Sequence, residues 1–67
     1  MALYWDGIYE IVLALIEAYP EVDLDTLGLQ RLQELVIKLP DFADEPVFAN
    51  EGILAAIFQE WYEETET

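Results

Sequence analysis

The segment that decides the fold is residues 41–61, DFADEPVFANEGILAAIFQEW, in a chain of 67 residues. Asn50 is a favoured helix N-cap, and the residues after it place apolar side chains at helical spacing. The sequence therefore predicts a third helix that begins after Asn50 and frays after about Glu64. The predicted buried stripe of that helix consists of Ile53, Leu54, Ile57, Phe58 and Trp61.

The loop before this helix, residues 40–50, contains two prolines and an aromatic residue towards each end. We expect Phe42 and Phe48 to fold back onto the core. Residues 46–48 are predicted to pair as a short strand with residues 3–5. Pro46 favours a rigid loop, while Asp41 and Asp44 are equally suited to capping turns and to contacting a partner.

Two earlier helices follow from the same periodicity. Apolar residues recur at spacings of three and four over residues 7–19, with Asp6 as the predicted N-cap and Pro20 as the stop. After a loop over residues 20–28, with a turn near residues 25–27, a second helix starts at Leu29 and ends before Pro40. Lys38 is predicted to lie in its last turn, where it complements the helix dipole. A compact helical bundle and a winged-helix variant both fit this order of elements.

The charge balance is the most informative feature of the composition. Fifteen carboxylates oppose only Arg31 and Lys38, which gives a net charge of −13, yet 55% of the residues are apolar. Highly charged chains are usually disordered because they lack apolar residues, so this chain should instead form a small core inside a negative shell. Such a shell attracts basic protein surfaces or metal cations. It disfavours nucleic acid, whose phosphates are bound mainly by Lys and Arg.

Several classes of function are excluded by what the sequence lacks. The chain has no Cys and no His, so thiolate metal sites, zinc fingers and imidazole catalysis are ruled out. A carboxylate pair would need a cleft, for which so short a chain has little room, and we expect no enzymatic activity. No apolar run approaches the roughly 20 residues that span a bilayer, and no signal-peptide pattern is visible. We expect a cytoplasmic protein without membrane contact.

A series of residues spread over the whole chain carries a resemblance to a known family: Trp5, Ala18, Tyr19, Pro20, Asp23, Leu39, Asp41, Phe42, Asp44, Pro46, Asn50, Glu51, Ile53, Leu54, Ala56, Ile57 and Trp61. The most specific part is DFADEP…ANEGILAAI…W, which combines an unusual loop with a fixed distance to the capped helix. These residues resemble the IscX family, small acidic proteins of bacterial iron–sulphur cluster assembly.

The resemblance implies a mainly α, three-helix, modified winged-helix-like single domain, which we place at residues 1–64, with an acidic tail at 65–67. It also implies an adaptor that binds a basic surface of cysteine desulfurase, in competition with a frataxin-like protein, and that binds ferrous iron weakly. We expect no tightly bound cofactor, and without Cys the chain cannot hold a cluster through the usual ligands. The residues assigned to both partner and metal contact are Glu17, Glu21, Asp23, Asp41, Asp44 and Glu45.

An alternative function follows from apolar residues at positions where that family tends to be polar. Such departures fit a divergent lineage, a redesigned sequence or an added self-association face. In the last case the chain would be a self-associating helical module without retained partner binding, and a homodimer becomes plausible. On the first helix, Leu13 and Ile16 point away from the buried face. The residues that could form an exposed patch are Ile8, Ile16, Ile37 and Phe58.

Overall fold

The computed structural model describes residues 2–66, and most of them lie in three helices. These are α1 (Ile8–Ala18), α2 (Leu29–Ile37) and α3 (Glu51–Glu66), with a single 3₁₀ turn at Pro46–Phe48. The described part of the chain contains no β-strand beyond an isolated parallel bridge between Leu3 and Phe42. The prediction of a small, mainly α, three-helix domain is confirmed.

Helix α1 begins at Ile8, one residue later than predicted. Gly7, with no side-chain cap, is the N-cap residue, so the prediction that Asp6 caps this helix is wrong. A turn in which the Gly7 N–H donates to the Tyr4 carbonyl brings Gly7, rather than Asp6, to the start of the helix. The helix ends at Ala18, one residue before the predicted end at Tyr19, which is instead the C-cap residue that precedes Pro20.

Helix α2 begins after Gly28 and ends at Ile37. Lys38 is the C-cap residue and lies just beyond the last turn, not within it as predicted. The predicted turn in the preceding loop is confirmed, because the Thr26 N–H donates to the Asp23 carbonyl and the Leu27 N–H donates to that of Leu24.

Helix α3 begins as predicted. Oδ1 of Asn50 accepts a hydrogen bond of 2.9 Å from the Ile53 N–H, which is the geometry of an N-cap. The helix continues to Glu66, two residues past the predicted fraying point, and the Thr65 hydroxyl donates back to the Trp61 carbonyl. Thr67 lies outside the described residues, and the division between residues 1–64 and a tail at 65–67 stays a prediction.

A single core joins the three helices and the N-terminal segment. Trp5 and Trp61 are both buried in it, so neither offers an open ligand surface. Four residues suspected of forming a self-association patch, Ile8, Ile16, Ile37 and Phe58, are half-buried and pack against the core. Leu13 is exposed, as predicted. The exposed large apolar residues are Tyr4, Tyr9, Leu13, Val47, Phe48 and Tyr62.

The loop over residues 40–50 does not form the predicted strand pairing. Residues 46–48 form the 3₁₀ turn and do not pair with residues 3–5. The fixed φ and missing N–H of Pro46 suit the first position of a helical turn better than a strand. Leu3 pairs instead with residues 41–43, donating to the Asp41 carbonyl and accepting from the Ala43 N–H. A winged-helix-like relationship therefore stays a prediction.

The two phenylalanines of this loop have different environments. Phe42 packs against the core as predicted, with its ring centroid 5.0 Å from that of Trp5 in an edge-to-face arrangement. Phe48 is 61% exposed, so the prediction that it folds onto the core is wrong. The turn that begins at Pro46 carries Phe48 outward, whereas the bridge to Leu3 holds Phe42 inward.

Candidate functional site

The six predicted carboxylates lie on three parts of the fold. Glu17 is in the last turn of α1, Glu21 and Asp23 are in the following loop, and the other three are in the loop over residues 41–45. Asp44 is half-buried and the other five are exposed. The negative charge therefore faces solvent at the end of α1 and along both loops.

Two of these carboxylates, Glu17 and Asp41, line one groove. This Glu17–Asp41 groove has a volume of about 330 Å³ and connects the end of α1 with the chain that follows α2. Asp41 is placed there because its carbonyl accepts a hydrogen bond of 2.8 Å from the Leu3 N–H. The remaining lining residues are apolar, namely Leu3, Ala14, Ala18, Leu39 and Pro40.

The groove combines features that suit a basic side chain. Lys and Arg pack their methylene stems on apolar surface while the charged head stays near solvent or a carboxylate. Charged hydrogen bonds from such a head to carboxylates are among the stronger polar contacts. The sequence identified Glu17 and Asp41 but missed the apolar floor, because Leu3, Ala14 and Leu39 approach one another only through tertiary packing.

Asp44 has a structural task in the fold. Its Oδ2 accepts a hydrogen bond of 3.0 Å from the Trp5 N–H, and its Oδ1 accepts one of 2.7 Å from the Glu45 N–H. The Trp5 indole N–H in turn donates to the Glu45 carbonyl at 2.7 Å. These bonds attach the N-terminal segment to the loop over residues 41–45. Of the two roles open to Asp44, the structure favours the cap.

Asp23 also organises its own loop. Its Oδ1 accepts a hydrogen bond of 3.0 Å from the Asp25 N–H, and its carbonyl accepts from the Thr26 hydroxyl. It lines a second, smaller pocket with Asp25 and Tyr62, separate from the Glu17–Asp41 groove. The predicted site residues therefore do not form a single cluster.

A comparison with known protein families finds a match that covers nearly the whole chain. The profile of a family described as iron–sulphur cluster assembly matches residues 3–66. The chain belongs to this family, the IscX family. A Pseudomonas aeruginosa protein, described only as uncharacterized, is 38% identical over 66 residues, which cover 98% of this chain and all of the relative. The resemblance drawn from the motif series is confirmed.

This IscX-family chain shows no preformed metal centre in the residues that the structure describes. Among the side chains of residues 2–65, no three carboxylates are grouped so that they could hold a metal ion. Hard cations such as ferrous iron prefer oxygen ligands of the kind that carboxylates supply. Weak binding of iron stays a prediction. Among residues 2–66, every helix is too short or too polar to span a bilayer.

A second group of carboxylates lies near the end of α3 in this IscX-family chain. The pKa of Glu60 is raised from its ordinary value, first by partial burial and then by its hydrogen bond to Glu64 and the charges of Glu64 and Glu63. Both basic residues belong to α2 or its cap, where Arg31 makes an exposed 3.4 Å ion pair with Glu34. The negative charges of Glu63 and Glu64 therefore disfavour the ionised form of Glu60.

Proposed function

We propose that this IscX-family chain is an acidic adaptor that binds a basic surface of cysteine desulfurase and modulates iron–sulphur cluster assembly. Membership of the family assigns the chain to iron–sulphur cluster assembly. The observation that carries the partner assignment is the Glu17–Asp41 groove, in which two carboxylates border an apolar floor. A partner that inserts Arg or Lys side chains would use both parts of this groove.

Long-range electrostatics supports the same partner class. A net charge of −13 on so small a chain creates a field that steers basic surfaces towards it and repels acidic ones. Complementary charges of this kind raise the association rate and select partners more than they raise intrinsic affinity. The adaptor should therefore bind rapidly, reversibly and with strong dependence on salt.

The remaining assignments follow from the same residues. Exposed carboxylates are proposed to bind ferrous iron weakly, without a tightly bound cofactor. A frataxin-like protein, if it uses the same basic surface, should compete for it. Because the chain has no Cys or His, we propose a regulatory role without catalysis. Two basic residues against fifteen acidic ones disfavour nucleic-acid binding, and we propose that the protein acts in the cytoplasm.

A binding titration against purified cysteine desulfurase at low and high salt tests this function. We expect binding at low salt that weakens as salt screens the charges, and a lower apparent affinity when the frataxin-like protein is present. The absence of binding at low salt would refute the adaptor. Binding that does not respond to salt would show that apolar contacts, rather than the carboxylates, provide recognition.

The alternative of a self-associating module has less support. The four residues suspected of forming its patch pack against the core of the chain itself. The oligomeric state of the free protein, measured by sedimentation, distinguishes the adaptor from the self-associating module. A monomer is expected from the adaptor, and a stable dimer at low protein concentration would favour the alternative.

A further inference from the structure

The 3₁₀ turn at Pro46–Phe48 displays two apolar side chains to solvent. Val47 is 79% exposed and Phe48 is 61% exposed, the two highest values among the large apolar residues of the described chain. Single exposed apolar residues are common on protein surfaces, but adjacent ones at the tip of a turn form a protruding apolar feature. We call Val47 and Phe48 the apolar tip.

The backbone holds the apolar tip in one conformation. The Phe48 N–H donates to the Glu45 carbonyl and the Ala49 N–H donates to the Pro46 carbonyl, each at 3.1 Å. On its N-terminal side, the Asp44 and Glu45 contacts with Trp5 fix the chain. On its C-terminal side, Asn50 caps α3. A preorganised tip loses little conformational entropy when it is buried by a partner.

Charge selects the class of partner that can cover the tip. The exposed residues Glu45 and Glu51 flank it in the sequence, on opposite sides. A second copy would bring these carboxylates against one another, on chains that each carry a charge of −13. A stable dimer also needs about 800 Å² buried on each chain, far more than two side chains provide. A partner with positive charge around an apolar recess can contact both the flanking carboxylates and the apolar tip.

We propose that the apolar tip inserts into an apolar recess on a protein partner, and that Arg or Lys side chains at the rim of the recess face Glu45 and Glu51. This inference rests on the proposed function, because the partner is the same basic protein. It adds a separate contribution to binding: the carboxylates accelerate association, and the buried tip slows dissociation.

The test compares two variants in titrations against purified cysteine desulfurase at low and high salt. Val47→Gln/Phe48→Gln removes the apolar tip without changing the charge. Tyr9→Gln is the matched control, because Tyr9 is 52% exposed and belongs to α1 rather than to the turn. Since the tip is exposed, thermal unfolding of the double variant should match that of the wild type. The single variant Phe48→Gln provides the same test if the double variant does not fold.

The expected result is about a tenfold loss of affinity for the double variant at both salt concentrations, from faster dissociation. The salt dependence should stay that of the wild type, and Tyr9→Gln should bind normally. The inference is overturned, with the adaptor retained, if the double variant binds like the wild type or no worse than Tyr9→Gln. If the wild type itself does not bind at low salt, both proposals fail. A wild-type dimer that the double variant abolishes would also overturn the inference.

Discussion

The Trp5 N–H donates a hydrogen bond of 3.0 Å to Oδ2 of Asp44, 39 residues further along the chain. The other carboxylate oxygen accepts from the Glu45 N–H, so one side chain joins the N-terminal segment to the loop before α3. Hydrogen bonds from backbone N–H groups to an ionised carboxylate are stronger than bonds between neutral groups. Asp44 therefore contributes to the fold as well as to the negative surface.

Replacing Asp44 by Ala should lower the free energy of unfolding by about 1–3 kcal/mol, because it leaves the backbone N–H of the buried residue Trp5 without its partner. Urea unfolding followed by tryptophan fluorescence measures the loss. Glu45→Gln is the matched control, since Glu45 joins these contacts only through its backbone. Equal stability of the Ala and Gln variants would show that the Asp44 side chain does not hold the loop.

The cap of α3 gives a second prediction. Asn50→Ala removes the acceptor of the Ile53 N–H and should cost about 1 kcal/mol of stability. Asn50→Asp keeps a capping oxygen and should remain close to the wild type. Thermal unfolding of the three proteins checks the order, and a wild-type midpoint for the Ala variant would contradict the assigned cap.

Glu60 should destabilise the fold at neutral pH and not in acid. Because its pKa is raised in the folded chain, ionised Glu60 costs free energy above that raised pKa. Below the ordinary glutamate pKa, both the folded and unfolded chains are protonated there and the cost disappears. Glu60→Gln should therefore raise the free energy of unfolding at neutral pH and leave it unchanged in acid. Urea unfolding at both pH values tests this, with exposed Glu21→Gln as the control. An equal rise in the free energy of unfolding at both pH values would contradict the claim that ionised Glu60 destabilises the fold.

Ferrous iron should bind weakly and at several places. No three carboxylates of residues 2–65 are grouped for metal binding, so we expect progressive changes at exposed acids in an anaerobic titration followed by NMR. The six predicted residues, Glu17, Glu21, Asp23, Asp41, Asp44 and Glu45, are the ones to follow. A single saturable site with one ion per chain would contradict this prediction.

The helices were predictable because their signals are local. Apolar spacing, Pro20 and the Asn50 cap each act within a few residues, and α1, α2 and α3 begin and end within about two residues of the predicted bounds. The loop over residues 40–50 was not predictable in the same way. Its pairing with Leu3 and the hydrogen bond that Asp44 accepts from the Trp5 N–H join residues distant in sequence, and Pro46 directs the turn away from a strand.

The candidate site could be predicted only in part, for a related reason. The sequence identified Glu17 and Asp41 as acids, but their common groove depends on how α1 packs near Leu39 and Pro40. It gave Asp23 only a surface role and left Asp44 equally suited to capping a turn and to contacting a partner, whereas both side chains accept backbone hydrogen bonds. The exposure of Phe48 was missed because an aromatic residue in a loop was expected to favour the core.

The central claim, that the Glu17–Asp41 groove receives basic side chains of cysteine desulfurase, is tested most directly by measuring affinity as a function of salt. Glu17→Gln/Asp41→Asn removes two charges from the groove, and Asp25→Asn/Glu63→Gln removes two exposed charges elsewhere. We predict that the groove variant binds about tenfold more weakly at low salt and depends less on salt, while the control stays near the wild type. Equal weakening of the two variants would contradict the claim, because binding would then depend on total charge and not on the groove.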